Sequence, residues 1–495
     1  MTTVHPETSA DVDPRRWLAL VVIAVAQLMV VLDASIVNIA LPSAQEALDI
    51  TDANRHWIVT AYALAFGGLL LLGGRIADVI GRKRAFVIGL LGFGVASAVG
   101  GLAQNQAELF GARALQGAFA ALMAPAALSL ITVTFTEPKE RAKAFGVYGG
   151  ISGGGAALGL ILGGVLTEYA SWRWTLLVNT PIAIATAVAG VMLVRESRSD
   201  AKARFDIPGV VTSTLGLVAL VYGFTKANES GWSATSTISM LTAAVVLLVA
   251  FVVIEMRTSE PLLPPRVFTE RNRAAAFLVS LLLGLALFGM FLFLVYYMQG
   301  TLGYSAVKSG LAFLPFSVGV VVGAGIASGL LPRIGPRPLM VGGTLAAAAG
   351  MVLFMQIEVE GSFLTTVLPA QILMSVGMGL AFVALSSTAL VGVEDRDAGV
   401  ASALVNTTQQ VGGSLGTALL NTIAATATAG YITAHGVGRT AEGLVHGYTV
   451  AFTWGLGALL LAAALSLVLV TKQRPPATPE GDETPFEHAE ELAVL

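Results

Sequence analysis

Gly74-Arg75-Ile76-Ala77-Asp78-Val79-Ile80-Gly81-Arg82-Lys83-Arg84-Ala85-Phe86 lies between two long apolar runs. One acid and a cluster of bases are concentrated in a short stretch punctuated by glycine. Each flanking run is long enough to cross a bilayer, for which about 20 apolar residues suffice. The stretch therefore reads as a tight, charged loop joining two membrane-spanning helices. A mere connector needs no charge there beyond what orients the chain.

Composition extends this reading to the whole chain. Only 12% of its 495 residues are charged, 55% are hydrophobic, and the mean hydropathy is +0.78. A soluble domain carries roughly 25% charge, so the fold class is an all-α polytopic membrane protein. The net charge of −3 leaves no basic footprint for a nucleic-acid partner. Cysteine is absent, which excludes disulfides and thiolate metal sites. The apolar run that begins near Trp17 is too long for a signal peptide and reads as a retained first helix.

Breaking the apolar runs at charged or Gly/Pro turns predicts helices at 17–40, 57–78, 84–103, 107–131, 141–167, 174–194, 208–226, 236–257, 272–299, 307–331, 338–357, 364–391, 398–425 and 446–471. Charge orients these fourteen spans. Numbering the loops alternately, only Arg55, Arg113, Arg173, Lys226, Lys308 and Arg439 fall off the N-terminal side; the other 22 of the 28 bases lie on it. Basic residues stay inside, so both termini are expected in the cytoplasm and the protein in the cell membrane. A faint repeat is also present. Gly329-Leu330-Leu331-Pro332-Arg333-Ile334-Gly335-Pro336-Arg337 echoes the Gly74 stretch without its acid.

The Gly74 stretch resembles the signature loop of the major facilitator superfamily, Gly-x-Leu-Ala-Asp-Arg-x-Gly-Arg-Lys. Gly74, Ala77, Asp78, Gly81, Arg82 and Lys83 match it; Ile76 and Val79 depart, and Val79 removes one ionic partner. The resemblance implies two six-helix halves built as a repeat. It divides the chain into an N-terminal tail (1–16), a first half (17–194), a linker with two inserted helices (195–260), a second half (261–471) and a Pro- and Glu-rich tail (472–495) that reads as disordered. Gly74, Asp78, Gly81, Arg82 and Lys83 are expected to gate, locking the cytoplasmic ends of the halves together in one state.

Asp33 is the sharpest single residue. A carboxylate at membrane depth is costly unless protonated, paired or facing water, and such groups default to function. Its segment, Leu32-Asp33-Ala34-Ser35-Ile36-Val37-Asn38-Ile39-Ala40-Leu41-Pro42, resembles a motif of the fourteen-helix drug:proton antiporter branch, with Ser35 in place of Thr. Arg113 lies in Arg113-Ala114-Leu115-Gln116-Gly117, a full match to the superfamily's Arg-x-x-Gln-Gly. Arginine cannot shed its charge, and in superfamily members its helix packs on helix one. The resemblance thus implies a shared proton-coupling site of Asp33 and Arg113. Gly159, Gly163 and Gly164 resemble the antiporter motif Gly-Pro-x-x-Gly-Gly, with Leu160 in place of the proline; read from the residues alone, the glycines allow close helix packing. Further resemblance to the branch runs through Trp172-Arg173-Trp174 to Asn179-Thr180-Pro181, through Tyr304-Ser305-Ala306 and through Asp397-Ala398-Gly399 to Asn406.

Asn38, Tyr62, Gln116, Phe291, Tyr297, Asn406 and Gln410 are the expected lining of a substrate cavity, a wall suited to lipophilic ligands. Asp33 is the one carboxylate expected deep within a helix of either half, so the substrate is expected to be neutral or monocationic. No nucleotide-binding loop and no His/Glu cluster is present in the sequence, so neither ATP nor a metal is expected and no cofactor is needed. The resemblance implies an antiporter exporting lipophilic drugs or antibiotics, driven by the proton gradient, and no enzyme. Two rival readings are a nutrient symporter or uniporter, in which proton and substrate would not compete for Asp33, and a non-transporting sensor, which calls for an appended soluble domain. Reporter fusions at residue 205 and at the C-terminus should both report the cytoplasm; opposite sides would overturn the fourteen-helix topology.

Overall fold

The computed structural model describes residues 14–135, 137–197, 206–258, 261, 270–390 and 395–471. Both tails of the chain, apart from residues 14–16, and Glu394 lie outside them. The helices run in chain order as α1 (Arg16–Ala47), α2 (Trp57–Ile80), α3 (Arg82–Gly101), α4 (Gln106–Thr134), α5 (Pro138–Tyr169), α6 (Trp174–Leu193) and α7 (Ile207–Ser230). They continue as α8 (Thr235–Arg257), α9 (Arg271–Thr301), α10 (Ala306–Ile334), α11 (Pro336–Phe354), α12 (Phe363–Leu390), α13 (Asp395–His435) and α14 (Thr440–Leu469). Among the described residues, eleven helices are long and apolar enough to cross a membrane, and twelve if the bent pair that makes up α2 is one span.

Local chemistry sets several boundaries. Asn105, Asp206, Glu270 and Ser305 each accept a hydrogen bond from the backbone N–H three residues on, capping α4, α7, α9 and α10. The expected multi-residue loop after α2 contracts to one residue. Gly81 alone makes the turn, at φ 106°, and Gly74 to Ile80 belong to α2. Glycine is needed there twice over. Positive φ disfavours a side chain, and a Cβ would lie 2.6 Å from a Glu196 carboxylate oxygen. The echo in the second half makes the same turn. Gly335, at φ 75°, separates α10 from α11, so the weak sequence repeat is a repeat of backbone geometry.

Two expected ends also move. α1 continues past residue 40, through Pro42, to Ala47. A proline inside a helix removes one backbone bond, and the nearby Ile39 carbonyl accepts from the Gln299 amide of α9 at 3.0 Å. α13 runs ten residues beyond 425. Thr426 and Thr433 satisfy their hydroxyls on carbonyls four residues back, and Gly436, at φ 90°, ends the run.

α1 to α6 pack with one another, and α9 to α14 do likewise. α7 packs on α8 and reaches α2 and α13 at the seam between the halves. The most apolar segment of α8 is only 11% buried, against 61% for α1, which leaves the inserted pair at the periphery with its valines facing lipid.

The halves meet at the end of the bundle away from Gly81. There the Arg55 Nε donates to Asn421 Oδ1 at 3.0 Å, Asn421 Nδ2 donates to the Asp52 carbonyl at 2.7 Å, and the Arg55 guanidinium lies 4.0 Å from the centre of the Tyr296 ring. The Val307 N–H donates to Glu168 at 2.9 Å. A Cβ at Gly310 would sit 2.3 Å from the Leu160 carbonyl, so α5 and α10 touch backbone to backbone. One apolar cluster joins Ile36, Ile39, Leu41 and Val59 of the first half to the second, whereas Ile23, Met29, Phe86 and Leu130 of the first half belong to a separate cluster. At the Gly81 end, the described links from Arg16 to Glu140 and from Arg337 to the Leu467 carbonyl each stay within one half. Thr60 and Thr417 face each other across the seam with hydroxyls 2.7 Å apart, within reach of a disulfide if both become cysteine. The double variant Thr60→Cys/Thr417→Cys, in a chain with no other thiol, should lose both free thiols on mild oxidation and stop transporting until reduced. Two persistently labelled thiols would contradict this closed end.

Candidate functional site

Glycines bring the carriers of the site together. A Cβ at Gly117 would lie 2.3 Å from the Tyr62 carbonyl, so α4 rides directly on α2. A Cβ at Gly159 would meet the Ser35 hydroxyl at 2.0 Å, and one at Gly163 the Ile36 carbonyl at 2.8 Å, so α5 clamps α1 at the turns beside Asp33. Gly164 faces the other way, onto Ala306 and Val307 of α10. The expected glycine motif thus divides between the two contacts.

Asp33 is 0% exposed and Arg113 1%. Arg113 Nη1 lies 2.6 Å from Asp33 Oδ2 and also donates to Gln116 Oε1 at 2.9 Å. Arg113 Nε donates to the Ile58 carbonyl of α2 at 2.9 Å. The other carboxylate oxygen, Oδ1, accepts from Gln116 Nε2 at 3.0 Å and from Asn179 Nδ2 at 2.9 Å. Gln116 Nε2 also donates to Ser97 Oγ at 2.7 Å, and the Ser97 hydroxyl in turn donates to the Phe93 carbonyl at 2.8 Å. The Tyr62 ring covers the guanidinium at 4.6 Å and stacks on Phe66. Three donors converge on a carboxylate that offers no proton of its own in this arrangement, so the geometry is that of an ionised acid. A small cavity of about 10 Å³ lies on the other side of Arg113, between Val37, Ile58, Trp172 and Thr175. That is room for about one water.

The sequence paired Asp33 with Arg113, and the structure brings them together. Asn179 and Ser97, which complete the cluster, were not singled out as site residues. Polar residues inside apolar runs are the signal that marks them, since a buried amide demands partners.

The expected cavity lining separates into two sets. Tyr62 and Gln116 are buried in the Asp33 cluster, and Tyr297 is buried with its hydroxyl on the Glu358 carbonyl at 2.7 Å. None of the three faces open space in this conformation: Gln116 is bonded into the cluster, the Tyr62 ring lies over the Arg113 guanidinium, and the Tyr297 hydroxyl reaches the Glu358 carbonyl. Phe291 packs between Phe313 and Phe316 at about 5 Å. Gln410 rests on Gly67 at the seam between α2 and α13. Asn406 is exposed in mid-helix, as is Ala34, and Asn38 is half-buried.

The expected gate is bound within its own half. Asp78 sits in the last turn of α2, 3.4 Å from Arg82. Gly74 lies against Pro125 of α4. The Arg82 N–H donates to the Ser197 carbonyl, the Lys83 N–H to Glu196, and Lys83 Nζ to the Val191 carbonyl. The charges therefore staple the α2–α3 turn to the end of α6. Asp395 and Asp397 begin α13, and their side chains lie outside the described residues.

Comparison with known proteins adds an independent line. The Major Facilitator Superfamily model matches residues 23–417. The chain is 53% identical over 477 residues to the puromycin resistance protein pur8 of Streptomyces alboniger, covering 95% of this chain and 94% of that one. It is 39% identical to the cephamycin export protein CmcT of Amycolatopsis lactamdurans, covering 83% and 86%. It is 35% identical to a lincomycin resistance protein of Streptomyces lincolnensis, covering 94% of each. Among solved structures, a bacterial homologue of the human lysosomal transporter Spinster, in an inward-facing and unoccupied conformation, superposes with a TM-score of 0.68 at 15% identity. That match covers 92% of this chain and 97% of the other, and it shows a shared fold.

Removing one member of a buried ion pair costs about 3–5 kcal/mol, because the other is left uncompensated. Arg113→Gln should therefore lower the thermal midpoint in detergent markedly, and adding Asp33→Asn should restore a large part of the loss. Strictly additive losses would contradict direct coupling of the two groups.

Proposed function

The chain belongs to the major facilitator superfamily, a family of transporters rather than enzymes, and from that premise we propose that it exports lipophilic antibiotics or drugs in exchange for protons. The observation that carries this reading is the fully buried, triply ligated Asp33 on Arg113. An acid at membrane depth with its own fixed counter-ion has a charge state worth several kcal/mol to the local packing. The relatives named for puromycin, cephamycin and lincomycin support a bulky antibiotic as cargo.

The proposed cycle runs between two halves, 17–194 and 261–471, with 195–260 as an inserted linker. Both termini face the cytoplasm of a cell whose membrane holds the protein. The Gly81 end is then the cytoplasmic end, and the seam through Arg55, Thr60 and Asn421 closes the outer side. In this state Asp33 has given up its proton. Cargo taken from the cytoplasm carries the halves to the outward-open state, where a proton from outside neutralises Asp33 and releases Arg113 from its partner. α1 then loosens from α4 and α6. The α5 glycines hand that change to α10 across the seam, and the population of the two states shifts. Asp78 with Arg82 and Lys83 acts in the opposite state, when the cytoplasmic ends approach. Asn38, Phe291, Asn406 and Gln410 are the proposed cargo wall. With one buried acid already engaged, the site suits neutral or singly cationic lipophiles.

A panel of antibiotics and dyes, exported from cells with and without a pH gradient, tests this. Uphill export should need the gradient and favour monovalent over divalent cations. Asp33→Asn should abolish uphill export while the protein still inserts. Normal uphill export by that variant would move coupling to another acid.

A further inference from the structure

Proton exchange at Asp33 poses a hydrogen-bonding problem that the cluster must solve. The ionised carboxylate only accepts; the acid must donate one hydrogen. Every group around it currently donates. Arg113 has donors only, so it cannot receive the hydrogen. Gln116 is pinned at both ends. Its Oε1 takes Arg113 Nη1 at 2.9 Å, and its Nε2 serves Ser97 at 2.7 Å, whose own proton is committed to Phe93. Turning that amide would set donor against donor and acceptor against acceptor. Asn179 differs. It is 1% exposed, its Nδ2 donates to Asp33 Oδ1 at 2.9 Å, and that is its one side-chain hydrogen bond. Its Oδ1 is uncommitted among the described residues. It stands where α6 is interrupted, just after Leu177 and Val178.

The geometry points to Asn179 as the positioning residue that lets Asp33 take up its proton, by rotating its amide from donor to acceptor. The inference rests on the proton-coupling reading of Asp33. The step moves one proton and no electrons. The proton adds to Asp33 Oδ1, the oxygen away from the Arg113 charge. The bond from Asn179 Nδ2 breaks, and a bond from the new Asp33 hydroxyl to Asn179 Oδ1 forms. Gln116 Nε2 continues to donate to the same oxygen. The charged and titratable groups that face Asp33 are Arg113 from α4 and Tyr62 from α2. α3 presents Ser97, α6 presents Asn179, and α5 packs beside it through Gly159 and Gly163.

The test measures gradient-driven counterflow in proteoliposomes against pH, together with substrate binding and thermal stability, for wild type, Asn179→Leu, Asn179→Asp and Asp33→Asn. Asn179→Leu offers the acid no acceptor. It should bind substrate but lose coupled transport roughly tenfold or more at every pH, the scale of an unsatisfied buried donor. Asn179→Asp keeps an acceptor and should stay coupled, with its pH midpoint moved upward as two carboxyls share a proton. A simple donor role predicts a different result: Asn179→Leu would stay coupled with its profile shifted to higher pH, and that outcome overturns the inference. If Asn179→Leu fails to fold, a pH profile of Asn179→Asp identical to wild type overturns it. Full coupling in Asp33→Asn would instead remove the reading of Asp33 itself, and the inference with it.

Discussion

A guanidinium that cannot lose its charge is sealed inside the membrane domain at Arg113, and the first half is organised around satisfying it. Its partners come from three helices: Asp33 of α1, the Ile58 carbonyl of α2 and Gln116 of its own α4, with the Tyr62 ring over its face. Burying such a charge is tolerable only when every donor has an acceptor close by. That demand explains the small residues around it. Gly117 lets α4 lie on α2, and Gly159 with Gly163 holds α1 against α5. The same close packing makes the site sensitive. One proton on Asp33 changes the charge balance of a cluster whose two charged members are both almost fully buried.

The second organising constraint is the seam. Contacts between the halves gather at one end, around Arg55, Asn421, Tyr296 and the Gly310–Leu160 approach, and Asp33 lies just beside the helices that make it. Leu160 occupies the place of the family's proline and is buried against this seam. The turn at Gly81 is tied instead to Glu196 and Ser197, so in this conformation its charges brace one half. The signature stretch therefore has a structural duty besides the gating proposed for it.

Much of this was legible in the sequence. Apolar run lengths placed the helices, and isolated polar residues inside them marked Asp33, Arg113 and Gln116. Three things were not. The loop at Gly74–Phe86 looked longer than it is, because charge suggested solvent while Asp78 sits in the last turn of a helix. Pro42 read as a stop, although a partner from α9 supports the helix around it. Tyr62, Gln116 and Tyr297 read as cavity wall because their chemistry suits ligands. Which face of a helix a residue occupies depends on packing that one sequence does not display. Asn179 lies in a resembling segment inside the predicted helix 174–194, but that its amide meets Asp33 depends on the same packing.

The central claim is that Asp33 is the group that carries the exchanged proton. Infrared difference spectra between alkaline and acidic pH on the reconstituted protein read this directly. The account predicts a protonated-carboxyl band on acidification of the wild type that is missing from Asp33→Asn. The same band in Asp33→Asn, or none in the wild type across the pH range of coupled transport, would contradict it.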